Sequence, residues 1–242
     1  MKGVILAGGL GSRLFPLTKL INKHLLPVGK QPMIGYGIDR LRKAGVTELL
    51  IVIGKMSAGL YVDYIGSGQQ MGMRVSFAVQ DEAGGIAQAL SHAEPFIAAD
   101  EKFIVLLGDN LFVDDLTPYI QSYQLQGSGE ARLLLKRVHD PRRYGVPVFD
   151  KEDSSKIIRI EEKPKRPSSN YCVTGIYMYD SSVFRYIREI QPSSRGELEI
   201  TDVNNLYAAR GKLQYDILQG WWTDAGTFES FQEAAIKLRG RQ

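Results

Sequence analysis

The amino-acid sequence predicts an α/β fold built on an open, mostly parallel sheet flanked by helices, with a mixed β region added in its second half. Three observations predict it. Bare apolar runs at residues 4–7, 49–53 and 103–107 have the length and composition of strands buried on both faces. A helical pattern lies between the first two, making a strand–helix–strand unit and hence a parallel pair. From residue 131 onward, strand-like runs follow one another with few helices between them.

Taken in order, the first strand runs from Val4 to Ala7 into a turn that holds Gly8, Gly9 and Gly11, then Ser12 and Arg13. Glycines at such a turn can take positive φ and let backbone N–H groups approach an anion, while Ser12 adds a hydroxyl and Arg13 a fork of donors. A plain glycine turn with a surface arginine explains the same residues, so the stretch alone does not decide. Residues 18–28 bring Lys23 and the pair Leu25-Leu26 ahead of Pro27. Pro32 opens a helix with Ile34, Ile38 and Leu41 on one face, and Gly45 closes it. Residues 58–65 form a short helix with Tyr61, Val62 and Ile65 inward. Val75, Phe77 and Val79 alternate with Arg74, Ser76 and Ala78 as a third strand ending at Gln80. The loop Asp81-Glu82-Ala83-Gly84-Gly85 then leads to a helix carrying Ile86, Ala89 and Leu90, and the run at 103–107 ends in Gly108-Asp109-Asn110. The second half predicts strands at 131–138, 145–149, 156–160, 171–179 and 214–218 and helices at 183–190, 201–210 and 228–238. The first half is therefore Rossmann-like. Such a sheet binds ligands beyond the carboxyl ends of its strands, which puts residues 8–13, 80–85 and Asp109 at one rim.

The 242 residues read as a single domain, with a first half through residue 115 and a second from 116 to 242. Lysine and arginine number 30 against 27 acidic residues, with no basic run beyond pairs such as Arg142-Arg143, which argues against a nucleic-acid partner. The one cysteine, Cys172, cannot form an internal disulfide and fits a reducing compartment. No apolar run reaches the roughly eighteen residues of a membrane span, and the N-terminal run is too short for a signal-peptide core. A soluble, cytoplasmic chain without a membrane partner is expected.

Several residues carry chemistry, each with a plainer reading beside it. Asp109 follows a buried strand, where an ionised carboxylate needs a cation or strong donors; it also fits an ordinary Gly-Asp-Asn turn. Asp224, in Trp222-Thr223-Asp224-Ala225-Gly226-Thr227, offers a second carboxylate for Mg²⁺ or an N-cap for the following helix. Lys23 is a point charge for phosphate or a surface lysine. Glu161-Glu162-Lys163-Pro164 joins a carboxylate for hydroxyls to an ammonium for phosphate, or is a solvated charge cluster. Gln80 and the loop to Gly85 can read a base edge or simply connect. His24, His92 and His139 lack metal-cluster spacing, and no serine or cysteine sits in a nucleophile motif.

In combination these residues resemble a known family. Leu6-Ala7-Gly8-Gly9-Leu10-Gly11-Ser12-Arg13-Leu14 with Lys23-His24-Leu25-Leu26-Pro27-Val28 is similar to the signature of sugar-1-phosphate nucleotidylyltransferases. Leu107-Gly108-Asp109-Asn110, Arg143-Tyr144-Gly145-Val146, Glu161-Glu162-Lys163-Pro164, the stretch Ser169-Asn170-Tyr171-Cys172-Val173-Thr174-Gly175 and the run from Arg195 to Asn204 resemble the glucose-1-phosphate thymidylyltransferase branch. The resemblance implies that a phosphate oxygen of glucose 1-phosphate attacks the α-phosphorus of dTTP, giving dTDP-glucose, a precursor of deoxysugars such as rhamnose, and pyrophosphate. It implies Arg13, Lys23 and Lys163 as catalytic residues, and a nucleotide site of Leu6, Gly8, Gly9, Gly11, Ser12, Arg13, Gln80, Gly85 and Asp109. It also implies a sugar-phosphate site of Tyr144, Gly145, Glu162, Lys163, Val173 and Arg195, Mg²⁺ on Asp109 and Asp224, and a homo-oligomer.

Two departures stand out. The loop after Gln80, Asp81-Glu82-Ala83-Gly84-Gly85, lacks the family's usual proline followed by an acidic residue just before the glycine, which leaves UTP or another hexose 1-phosphate as the alternative substrates. The sequence also reads as a short form, without the helical C-terminal segment of longer members. A Rossmann dehydrogenase is disfavoured because Leu14 stands at the third glycine position of its fingerprint and the acidic residue about twenty positions on is missing. A non-catalytic nucleotide-sugar-binding protein is disfavoured by the joint presence of Arg13, Lys23, Asp109, Lys163 and Asp224.

Overall fold

A computed structural model describes residues 1–239. The first half runs β1 (Lys2–Ala7), β2 (Pro27–Val28), β3 (Gln31–Pro32), α1 (Met33–Lys43), β4 (Glu48–Gly54), α2 (Ala58–Ile65), β5 (Arg74–Gln80), α3 (Ile86–Ser91), β6 (Lys102–Leu107) and β7 (Asn110–Phe112). The second half runs α4 (Thr117–Gln124), β8 (Ala131–Arg137), β9 (Gly145–Phe149), β10 (Ile157–Glu162), β11 (Tyr171–Asp180), α5 (Val183–Glu189), α6 (Ile200–Ala209), β12 (Leu213–Ile217), β13 (Trp222–Asp224) and α7 (Phe228–Arg239).

Seven strands make one central sheet in the order β12-β8-β11-β6-β1-β4-β5. Only β11 runs against its neighbours; β1 pairs in parallel with β4 and β6, β4 with β5, and β12 with β8. The expected mixed β region is thus mostly a continuation of the first sheet through β11, while the β9–β10 ribbon and the short β13–β7 pair stand apart. Alternation along the central strands builds two cores. Val4, Leu6, Phe103 and Val105 face α3, α5 and α6, whereas Ile5, Ala7, Ile104 and Leu106 face α1, α2 and α4. Burial on both faces is why these strands read as unbroken apolar runs.

Two expectations need correction. Val62 is 48% exposed while Tyr61 and Ile65 are buried, because α2 turns only one narrow row inward, at positions four apart. Helix α4 was not anticipated from the sequence; it begins Thr117-Pro118 and buries only Ile120 and Tyr123, too few positions to stand out as a period. Among the described residues no helix is long and apolar enough to cross a membrane.

A bulge in β11, between Val173 and Tyr177, brings Gly175 against β7, where its N–H donates to Asn110 Oδ1 over 2.8 Å. A β-carbon there would lie 2.6 Å from Asn110 Nδ2 and from Leu107 Cγ, both held by the core. Gly175→Ala is expected to destabilise the protein by about 1–3 kcal/mol through overpacking, read as a fall in melting temperature. An unchanged melting point would show that this contact relaxes freely.

Candidate active site

The turn after β1 is shaped by its side-chain partners. Gly11 sits at φ 67°, with Thr18 Oγ1 donating to its carbonyl over 2.7 Å and Asn22 Nδ2 donating to the Gly9 carbonyl over 3.0 Å. Two backbone acceptors are thereby pinned from below. Gly8 has a separate reason to be glycine, since a β-carbon would stand 1.9 Å from Gln80 Oε1. Arg13 emerges exposed from the first turn of a 3₁₀ segment, Ser12–Leu14, that is anchored by the buried Leu14. Its guanidinium lies by the β13–α7 turn, where a β-carbon on Gly226 would sit 3.0 Å from Arg13 Nη2.

Opposite this turn, Asp109 lies in the turn between β6 and β7 and is buried. Its carboxylate pairs with Lys23 Nζ and accepts from Asn110 Nδ2 over 3.1 Å. Burial opposes its ionisation, yet the Lys23 ammonium and these hydrogen bonds hold its pKa well below the usual carboxylate range. Asp224 reaches the same place from the far end of the chain: β13 pairs antiparallel with β7, setting Asp224 against Asn110, and Ala225 N–H donates to the Asp109 carbonyl over 2.9 Å. Burial and then the charge of Asp109 push the Asp224 carboxyl up, against the pull of Lys23 and Arg13. Asp224 is not the N-cap of α7. It accepts from Gly226 N–H in a local turn, and Thr227 Oγ1 accepts from Ser230 N–H at the head of the helix. The two carboxylates form a hard-oxygen donor set that suits Mg²⁺ when substrate phosphates complete its shell, with the Lys23 ammonium beside them. Among the described residues no group of three or more such side chains offers an alternative metal site.

His24 is buried behind this cluster, its Nδ1 2.7 Å from Asn22 Oδ1, which also accepts from Tyr61 Oη over 2.9 Å. Burial, with Lys23 adding to it, pushes His24 down to about 3 from an ordinary 6.5. The unfolded chain therefore takes up this proton at a pH where the folded one does not, and the fold loses stability as pH drops from 6.5 towards 3, by about 1.4 kcal/mol per unit. Between pH 6.5 and 4.5 the melting temperature is expected to fall more steeply than in His24→Gln. Equal slopes would remove His24 as the source.

The other end of the site is carried by the β9–β10 ribbon and the segment leading into α6. Gly145 pairs with Glu162 across the ribbon, and Glu162 Oε2 accepts from Thr201 Oγ1 over 2.6 Å. Lys163, at φ 45°, donates its backbone N–H to the Tyr144 carbonyl over 3.0 Å and holds its Nζ 3.1 Å from Glu162 Oε1. Arg195 binds both oxygens of Glu199 at 2.8 and 2.9 Å and lies 3.6 Å from Glu162. With Glu197 also 3.5 Å from Arg195, two cations and three carboxylates thus interlock. The tip of this segment is locked to the loop after β5, with Leu198 N–H donating to the Gly84 carbonyl over 2.8 Å and Ala87 N–H donating to Leu198 over 3.1 Å. Gly85, at φ 102°, is required there, since a β-carbon would lie 2.5 Å from the Leu198 carbonyl oxygen.

Between the two ends runs one cleft of about 570 Å³, crossing the carboxyl rim of the sheet. A comparison with known proteins shows what this arrangement belongs to. Residues 2–240 match the family model described as nucleotidyl transferase. The chain belongs to the nucleotidyl transferase family. This nucleotidyl transferase is 40% identical over 238 residues to the glucose-1-phosphate thymidylyltransferase of Neisseria meningitidis, covering 97% of this chain and 81% of that one. It is 42% identical to the enzyme of the same name from Xanthomonas campestris, covering 97% and 79%. Among solved structures, a Bacillus anthracis chain assigned as a glucose-1-phosphate thymidylyltransferase and crystallised with sucrose superposes with a TM-score of 0.94 at 52% identity, over 100% of this chain and 96% of that one. A UDP-glucose pyrophosphorylase complexed with UDP-glucose superposes with a TM-score of 0.86 at 25% identity, over 100% and 99%.

Most residues singled out in the sequence meet in the cleft of this nucleotidyl transferase. Leu6, Gly8, Gly9, Arg13, Lys23, Gln80, Gly85, Asp109, Tyr144, Gly145, Glu162, Lys163, Val173, Arg195 and Asp224 all line it. Gly11 and Ser12 do not; they shape the turn from outside. The structure adds Tyr177, Thr201, Asn110 and Trp222 to the lining. Trp222 stands edge-on to Tyr144 at 5.5 Å and donates Nε1–H to Asn110 Oδ1 over 2.8 Å, which fixes the aromatic wall. Thr201 was visible as part of a motif, without a role. Tyr177 lies on the same face of β11 as Val173, four positions on, and nothing in its residue type marked it out among the apolar residues of that strand.

Proposed function

We propose that this enzyme joins dTTP and α-D-glucose 1-phosphate to give dTDP-glucose and pyrophosphate by a single displacement. An oxygen of the sugar phosphate attacks the α-phosphorus, the bond from that phosphorus to the α,β-bridging oxygen breaks, and pyrophosphate leaves with the bond electrons. The observation that carries the reading is the layout of the cleft: free donors at the glycine turn, two carboxylates beyond it, and a cation pair at the far end. Such a reaction needs alignment and neutralisation of charge more than proton transfer, which agrees with a site that has no activated nucleophile.

In this reading the backbone at Gly8 and Gly9 and the Arg13 guanidinium hold the triphosphate and stabilise the leaving pyrophosphate, with Lys23 beside them. Gln80, Gly85 and the backbone at Leu6 and Gly8 face the thymine. Lys163 and Arg195 orient the sugar phosphate, while Glu162 and the backbone at Gly145 and Val173 take sugar hydroxyls, with Tyr144 as a wall. Asp109 and Asp224 would hold Mg²⁺, which when bound supplies charge neutralisation across the phosphates. The product would supply enzymes that convert dTDP-glucose to deoxysugars.

Pyrophosphate release with glucose 1-phosphate and Mg²⁺, compared across dTTP, UTP, CTP, ATP and GTP, tests this reading. Preference for dTTP is expected. A preference for UTP would keep the reaction and change the donor, and no release with any of them would overturn the assignment.

A further inference from the structure

Behind the end of the cleft formed by Leu6, Gly8 and Gly85, three side chains stand in line. Gln80 Nε2 donates to Gln88 Oε1, and Gln88 Nε2 in turn faces His92 Nε2 at 3.4 Å. Each amide is thereby given a direction. Because Gln88 receives the Gln80 N–H, its own N–H₂ points to the imidazole, which accepts at Nε2 in the tautomer that carries its proton on Nδ1. Gln80 Oε1 is left over. It rests above the bare Cα of Gly8, has no protein partner among the described residues, and opens to the cleft rather than being sealed in.

We propose that Gln88 is a positioning residue that sets which nucleobase the cleft accepts, by taking the Gln80 N–H and so turning the Gln80 carbonyl oxygen towards the base. This rests on reading that end of the cleft as the base site. An outward oxygen accepts from a ring N–H, which a thymine- or uracil-type imide presents between its two carbonyls. Cytosine presents a lone pair at the same ring position, so two acceptors would meet and both would lose their hydration. Turning the Gln80 amide over would reverse the preference, but would set its oxygen against Gln88 Oε1. With His92 in that tautomer the relay makes one orientation the stable one, at a distance from the ligand. The methyl group that separates thymine from uracil is not read by it.

Steady-state kinetics with dTTP and dCTP on the wild type, Gln88→Met and Gln88→Glu test the proposal. In Gln88→Met the KM for dTTP is expected to rise about tenfold, and the dTTP-over-dCTP ratio of kcat/KM to shrink by about tenfold, with kcat at saturating dTTP within about threefold. Gln88→Glu retains an acceptor for Gln80 and is expected to keep the wild-type ratio. An unchanged ratio in Gln88→Met, or equal losses in the Met and Glu variants, would overturn the relay. Gln80→Met separates the two layers. If it weakens dTTP while Gln88→Met does not, the relay alone fails; if it has no effect on dTTP, the base-site reading fails with it.

Discussion

Asp224→Asn is expected to leave a protein that melts higher than the wild type and turns over about a thousandfold more slowly. Both effects come from the same place. In the folded protein the Asp224 carboxyl is pushed up, by burial and then by the charge of Asp109, so at neutral pH its ionised form is held against its preference. A carboxyl whose folded pKa exceeds its unfolded value costs stability above the unfolded value, and an amide of the same shape removes that cost. The same substitution removes half of the hard-oxygen donor set, and a loss of about 4 kcal/mol of transition-state stabilisation corresponds to that thousandfold. Asp109→Asn should lose a comparable rate without the gain in melting temperature, because Asp109 is paired with Lys23 and its ionised form is the favoured one. Pyrophosphate release and thermal melting of both variants, without nucleotide or metal in the melts, check this. A wild-type rate in either variant would remove that residue from the metal assignment, and a lowered melting point in Asp224→Asn would contradict the electrostatic account.

Arg13→Ala is expected to lower kcat by about a hundredfold to a thousandfold, with the KM for glucose 1-phosphate changed by less than about threefold. Among the described residues Arg13 forms no ion pair and its guanidinium lies exposed beside the turn at Gly226, so its five donors are uncommitted. That is the condition for a group that meets charge developing on a leaving pyrophosphate. Arg13→Lys should recover only part of the rate, since an ammonium cannot offer two parallel donors to one phosphate. A full rate with weakened sugar-phosphate binding would move Arg13 from the leaving group to the other substrate. Arg195 gives the contrast: it is already bidentate to Glu199, so its truncation should disturb the architecture of the sugar-phosphate end as well as its charge.

How much of this was legible in the sequence differs by element. The central strands were, because a strand covered on both faces must be apolar at every position, and residues 4–7, 49–53 and 103–107 are. Helix α1 was, through Ile34, Ile38 and Leu41. Helix α4 was not, because packing against the sheet needs only Ile120 and Tyr123, and two positions do not make a period. In the same way an N-cap was the commoner reading for Asp224 taken by itself, and only the fold shows Thr227 accepting from Ser230 at the head of the helix instead.

The sequence by itself determined the parallel core, the glycine turn and the family, because each rests on residues near one another in the chain or on motifs in fixed order. Tertiary structure alone decided what those motifs do to one another. Lys23 and Asp109 are 86 positions apart and form one ion pair. Asp224 joins them only because β13 pairs with β7, and Gly175 meets Asn110 only because β11 bulges. Charge, burial and hydrogen-bond direction are properties of neighbours in space. A chain that returns to the same sheet rim from both of its halves sets those neighbours by folding.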